Sequence, residues 1–223
     1  MRPDPRSSPT RGRTLDHAAR LYDICQPFVM LGRDGRLQAR LIEQLAPEPD
    51  WQALDLGCGT GTLTVRLAAR LPQGRVIGID AAARMIDVAR AKRSSFNCRF
   101  EVAAAESLPF GANEFDAVVS SLFFHHVDRE LKLRALREAW RVLKPGGRLL
   151  ICDMHRPYNP SGWLVSYAAR YLFKQGEIAE NIAGLMPELI SAAGFEDLTA
   201  CDRALGYLTT WSARKPRSGH VEL

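Results

Sequence analysis

Three groups of residues in this sequence have the types and spacing to do chemistry. The first is Asp55-Leu56-Gly57-Cys58-Gly59-Thr60-Gly61-Thr62, an acid followed by glycines at alternate positions. Glycines at that spacing turn a backbone sharply and let a ligand lie against bare main chain. Leu63, Val65, Leu67, Ala68 and Leu71 then recur at helical spacing. The turn therefore opens a helix whose free N–H groups and positive dipole end would face that ligand. The second is Asp80, which closes the apolar run Val76-Ile77-Gly78-Ile79. At the carboxyl end of the second strand of a doubly wound sheet, an acid accepts hydrogen bonds from both ribose hydroxyls of an adenosine cofactor. The third is the pair His125-His126, with Asp153 and His155 further along. Histidine titrates near neutral pH and suits a general base. Adjacent residues point apart, so at most one of the pair faces a ligand, with His125 preferred. A His-His plus Asp-x-His metal site can be drawn from the same residues, but its spacing is no recognised ligand pattern, and no metal is expected.

Alternating strands and helices must position these groups. Short buried strands are expected at 52–56, 75–80, 99–103 and 115–120, and a fifth after Gly147. Helices are expected at about 35–45, 81–93, from Asp128, and at 186–193. Thr14 caps an earlier helix that ends before Pro27. Residues 195–203 and 206–213 read as two strands joined by a short turn. Between 154 and 184 the alternation breaks: Trp163, Tyr167 and Tyr171 fall four apart with Leu164, Ala168 and Leu172 beside them. That pattern is one apolar, aromatic helix face, read as a lid over an apolar pocket, with a plain packing helix, contact with a membrane surface or a dimer surface as alternatives. Ligands in such sheets sit past the carboxyl ends of the strands, which gathers Asp55, Gly57, Gly59, Asp80, Ala105, Ser120 and the histidine pair at one edge.

Asp55 to Gly61 resembles the first motif of the class I methyltransferases that use S-adenosylmethionine (SAM). The resemblance implies that the glycine turn wraps the amino-acid end of SAM and that Asp55 orients its amino group. Ala104-Ala105-Glu106-Ser107-Leu108-Pro109-Phe110 resembles the family's Asp-Ala-Glu-x-Leu-Pro-Phe segment, with Ala104 where an acid usually takes the adenine amino group. Weaker cofactor affinity follows, or substitution by Glu106, with the Ala105 backbone still reaching the ring. Leu143-Lys144-Pro145-Gly146-Gly147, Ala193-Gly194-Phe195 and the terminal strand pair are further markers in the family's order. Tyr22-Asp23 resembles the N-terminal region of the quinone-biosynthesis branch. The implied fold is a Rossmann-like, doubly wound seven-stranded sheet with a terminal antiparallel hairpin, N-terminal helices and a helical lid. The implied cofactor residues are Asp55, Gly57, Cys58, Gly59, Thr60, Gly61, Asp80, Ala81, Met85, Ala105, Glu106 and Ser120. His125 and His126 are the base candidates, and Tyr22, Phe124, His155, Trp163 and Tyr167 are expected at the acceptor pocket. The implied reaction moves a methyl group to a small, partly apolar acceptor and leaves S-adenosylhomocysteine (SAH). A non-catalytic protein of the same fold is the alternative that Ala104 favours. A nicotinamide-dependent oxidoreductase shares the ribose acid but fails at Thr62, where its fingerprint carries glycine.

Composition narrows the rest. At 223 residues, 46% of them hydrophobic, the chain suits one domain, expected at 14–213, with helices in 14–50 and tails at 1–13 and 214–223. The tail 1–13 is rich in Pro, Arg and Ser, which reads as disordered, and it lacks the apolar core of a signal peptide. The net charge of +5 is spread out, with no basic stripe interleaved with aromatics, so no nucleic acid is expected. Five scattered cysteines without a C-x-x-C pair argue against a disulfide framework and for the cytoplasm. No apolar run is long enough to span a bilayer. Oligomeric state is open.

Overall fold

The computed structural model describes residues 4–10, 32, 34–93, 95–171 and 177–217. Among these, seven strands form one sheet: β1 (Gln52–Leu56), β2 (Arg75–Asp80), β3 (Cys98–Val102), β4 (Phe115–Ser121), β5 (Leu143–Met154), β6 (Glu196–Ala204) and β7 (Leu208–Arg214). Their order across the sheet is β3-β2-β1-β4-β5-β7-β6. The chain starts in the middle at β1, winds outward through β2 and β3, then crosses back to lay β4 on the other side of β1. Both β2 and β4 pair with β1 in parallel, with Leu56 opposite Ile79 on one side and Ser120 on the other. The gap beyond Leu56 is thus the point where the winding reverses, the place where open α/β sheets bind ligands. β7 is antiparallel to both β5 and β6, the expected terminal hairpin.

Helices cover both faces: α1 (Asp34–Leu45), α2 (Thr62–Ala68), α3 (Ala83–Lys92), α4 (Arg129–Val142), α5 (Pro160–Tyr171), α6 (Ile178–Ala183) and α7 (Met186–Ala192), with a 3₁₀ turn at Phe124–His126. Burial on both faces explains why the parallel strands are apolar throughout rather than alternating. The period-2 rule still sorts side chains to faces. Leu54 and Leu56 join the core shared with Leu131, Leu136 and Ile190, while Ala53 joins the core shared with Leu41, Leu67 and Leu150. Asp55 therefore projects to the Ala53 side, where α2 covers it. Asp128 caps α4, its carboxylate accepting from the Leu131 N–H at 2.9 Å.

Four expectations differ from the structure. Leu143-Lys144-Pro145-Gly146-Gly147 is drawn into β5: Leu143 pairs with Phe115 and the ladder skips before Ala117–Arg148. Lys144 fastens the irregular stretch by donating to Asp116 at 2.7 Å. The aromatic stripe of α5 is only partly covered: Tyr167 is half-buried against the core, while Trp163 and Tyr171 are exposed. The buried residues of α5 are Gly162 and Ser166, because Gly162 lies directly against the Gly206 backbone in the β6–β7 turn, where a Cβ would collide. Residues 4–10, expected as tail, lie against the start of α3, with the Ser8 N–H on the Ala81 carbonyl at 2.9 Å and the Ser7 hydroxyl accepting from Ala83 at 3.0 Å. Past β7, Lys215 is buried and donates to Asn113 and the Leu143 carbonyl, each at 2.8 Å. The helix expected from Thr14, with Tyr22 and Pro27, lies outside the described residues.

Candidate active site

Beyond the carboxyl end of β1 the chain turns through Gly57, Gly59 and Gly61, all at positive φ. Gly57 has φ +66°, and a Cβ there would stand 2.5 Å from the Phe123 ring. Gly59 is different: a Cβ on it would meet no protein atom, because its backbone borders an open cleft. That cleft encloses about 960 Å³, mouth included, and its wall contains Asp55, Gly57, Cys58, Gly59, Thr60, Asp80, Ala81, Met85, Ala105, Glu106 and His126. Residues 71 positions apart in sequence, from both halves of the winding, therefore share one wall.

Each acid in the cleft has a distinct setting. Asp55 is 1% exposed and accepts one strong hydrogen bond, from the Thr64 hydroxyl at 2.7 Å. Burial pushes its carboxyl up to about 7; the Thr64 bond opposes that rise, and the negative Asp80 adds to it. Asp80 holds the turn together, accepting from the Gly59 N–H at 3.0 Å and the Ala82 N–H at 2.9 Å. Glu106 accepts from the Thr10 hydroxyl at 2.6 Å, so the N-terminal segment contributes to the cleft. Burial pushes the Cys58 thiol well above its ordinary range, leaving it a neutral wall residue.

Sequence reasoning missed Thr10, Gln38, Leu122 and Phe123, all of which line the cleft. Gln38 is 4% exposed; its amide N–H donates to Asp34 at 3.0 Å, while its Oε1 is buried without a hydrogen-bond partner. A buried acceptor beside a cleft, left without a donor, suits an N–H or O–H of a ligand. Leu122 sits at φ +59°, a strained conformation for a side chain with a Cβ, held by its N–H on the Cys152 carbonyl at 2.9 Å.

The histidine pair is ordered the other way round from the expectation. His125 is buried, its Nδ1 2.8 Å from Asp153. Asp153, fully buried, also accepts from the Phe124 N–H at 2.7 Å and its neighbour Met154 at 2.7 Å. This carboxylate fixes the 3₁₀ turn, and the turn presents His126 to the cleft, its ring 3.9 Å from that of His125. Ser120 is fully buried and gives its hydroxyl to the Leu56 carbonyl at 2.9 Å, and the neighbouring Ser121 borders the cleft instead. Gly61 lies behind the turn against the Phe100 ring. Phe124 is fully buried in the core. His155 packs edge-on to Trp211 at 5.0 Å, and burial lowers its pKa. Trp163 and Tyr167 stack on each other at 5.1 Å along α5. None of these six lines the cleft.

Bare backbone at Gly59, a buried acid at Asp55, an acid at the end of β2 and the orphaned Gln38 oxygen together fit a ligand with a cationic amino-acid end and a ribose. Residues 53–147 match the family described as methyltransferase domain. The demethylmenaquinone methyltransferase of Thermus thermophilus is 35% identical over 179 residues, covering 77% of this chain and 80% of that protein. Its counterpart in Deinococcus radiodurans is 33% identical over 201 residues, covering 86% and 82%. A SAM-dependent methyltransferase structure from Methanosarcina mazei superposes with a TM-score of 0.62 at 25% identity, covering 79% of this chain and 98% of that one. With its sheet order and glycine turn, the chain belongs to the class I methyltransferases, enzymes that take their methyl group from SAM.

Proposed function

We propose that this enzyme methylates a quinone-type ring carrying an apolar side chain, taken in its reduced, hydroxyl-bearing form. The single observation that carries the reading is the convergence of the cofactor-type wall and His126 on one cleft. The relatives named as demethylmenaquinone methyltransferases support the acceptor class.

Asp55 and the Gln38 oxygen are acceptors for the amino group of the cofactor, Gly57 and Gly59 provide bare backbone beside it, and Asp80 takes the ribose hydroxyls. Met85 and Ala105 are the apolar neighbours of the adenine, and Glu106 stands in for the acid that Ala104 lacks. Held by these residues, SAM would supply a methyl activated on a sulfonium, with the thioether of SAH as the leaving group. Holding the acceptor in line at near-attack distance supplies much of the rate. A hydroxyl-activated ring must also lose one proton, and the His126 imidazole is the group at the cleft suited to take it. Asp153 and His125 act through it by fixing the turn, as positioning residues.

The test is transfer of labelled methyl from SAM to demethylmenaquinol, in the wild type and in His126→Gln. The expected result is transfer by the wild type, with kcat lowered roughly a hundredfold in the variant and SAH affinity unchanged. Equal rates would remove His126 from the chemistry. Absence of transfer to the quinol by a protein that binds SAM would remove the acceptor class.

A further inference from the structure

The largest unexplained feature outside the cleft is the surface of α5. Of the six large apolar side chains exposed among the described residues, five lie within 158–171: Tyr158, Trp163, Leu164, Val165 and Tyr171. Leu164 is 73% exposed and Tyr171 64%. The buried residues of α5 are Gly162 and Ser166, and Trp163, Leu164, Val165 and Tyr171 stand outward while Tyr167 is half-buried against the core. Trp163, Tyr167 and Tyr171 stack along the helix, with ring centroids 5.1 and 5.9 Å apart. A patch of this kind marks an interaction surface rather than scattered exposure.

The charge around it selects the partner. Arg170 lies over the Tyr171 ring at 5.2 Å and Arg203 over the Tyr158 ring at 5.7 Å. Arg36, Arg40 and Arg203 border a second cleft whose wall includes Tyr158, Ser161 and Val165. Asp202 offsets Arg40 at 3.5 Å; the other three arginines keep the rim basic. An outward helix with Trp, Tyr and Leu on it and arginines beside it has the composition of a helix that lies in a membrane interface. At 12 residues it is too short to cross one, and no helix among the described residues is long and apolar enough to do so.

We propose that this face docks on an anionic phospholipid bilayer, with α5 lying in the headgroup layer and the arginines on lipid phosphates. The inference rests on the lipophilic-acceptor reading for its purpose: an acceptor with an apolar tail resides in the bilayer, so the enzyme must meet it there. The placement serves that purpose. α5 packs on α6, and α6 packs on the 3₁₀ turn that brings His126 to the cleft. Gly162 of α5 rests on the Gly206 turn, where β7 begins opposite Met154 at the carboxyl end of β5. The docking face and the cleft therefore share one edge of the sheet.

The experiment is flotation of the whole chain with vesicles of phosphatidylglycerol and phosphatidylcholine, or of phosphatidylcholine alone, without acceptor or SAM. Leu164→Glu and Arg203→Glu variants are compared by the same assay, and each is checked for SAH affinity. The expected result is binding to the anionic vesicles alone, weakened by raised salt, and reduced at least tenfold in both variants with SAH affinity kept. Lack of binding to anionic vesicles, or equal binding by the variants, overturns the proposal. So does a wild-type dimer that Leu164→Glu converts to monomer without any vesicle binding, since the face would then join two copies. Because no acceptor is present, failure here is separate from failure of methyl transfer to a quinol.

Discussion

Asp55→Asn is expected to make the cofactor-free protein more stable at pH 8 while weakening its grip on SAH at least tenfold. The two effects have one origin. Burial lifts the Asp55 carboxyl from the ordinary 3.8 to about 7, so the folded state holds this proton more tightly than the unfolded state. A raised carboxyl pKa works against folding as pH climbs: the cost is absent below about 4, grows between about 4 and 7, and is fully present above that. A rise from 3.8 to about 7 corresponds to about 4 kcal/mol as an upper bound, and a gain of roughly 2–4 kcal/mol is expected in the variant. Asparagine keeps an oxygen for the Thr64 hydroxyl and carries no charge to bury. The wild type should therefore gain SAH affinity as pH rises from about 5 to 8, as Asp55 ionises to meet the amino group, and the variant should not. Denaturant melts and calorimetry at several pH values read both. A variant no more stable at pH 8 than the wild type would show that Asp55 is ionised without cost.

Asp80→Ala is expected to lower SAH affinity by roughly a hundredfold or more, from the loss of two charge-assisted hydrogen bonds to ribose. The same carboxylate also ties the Gly59 and Ala82 N–H groups. Its removal should loosen the turn and cost roughly 1–3 kcal/mol of stability. Asp80→Asn separates the roles, since its single carbonyl oxygen can serve the turn or the sugar but not both with charge. A second consequence follows from the electrostatics. Asp80 helps hold the Asp55 carboxyl high, so Asp80→Ala should move the Asp55 titration downward. SAH affinity unchanged in Asp80→Ala would take the ribose away from the end of β2.

The strands and the floor of the cleft were legible in the sequence because they depend on local pattern, whereas the winding of the sheet came only with the family resemblance those motifs carry. Apolar runs such as Val76–Ile79 end in acids, glycines alternate after Asp55, and Asp128 caps the helix it precedes. What was illegible depends on contacts between distant residues. Nothing adjacent to His125 and His126 says which one faces the cleft; Asp153, 28 residues on, decides it by binding His125. Ser120 and Ser121 are likewise separated by the Leu56 carbonyl 64 residues away. Thr10 and Gln38 gave no signal, because one sits in a segment of disordered composition and the other is one polar residue in an amphipathic helix. On α5 the spacing of Trp163, Tyr167 and Tyr171 marks one helix face but leaves open what covers it; in the structure Tyr167 is half-buried and Trp163 and Tyr171 are exposed. Small residues at Gly162 and Ser166 were the sign of close backbone packing on that side, and the Gly206 turn supplies it.

The most direct measurement is calorimetric titration of the wild-type protein at pH 8 with SAH and, separately, with NAD. Saturable one-to-one binding of SAH with no binding of NAD is the expected result, and competition by SAM at the same site should accompany it. Binding of NAD in place of the adenosyl-sulfur ligand, or of neither, would contradict the assignment of this cleft as the cofactor site.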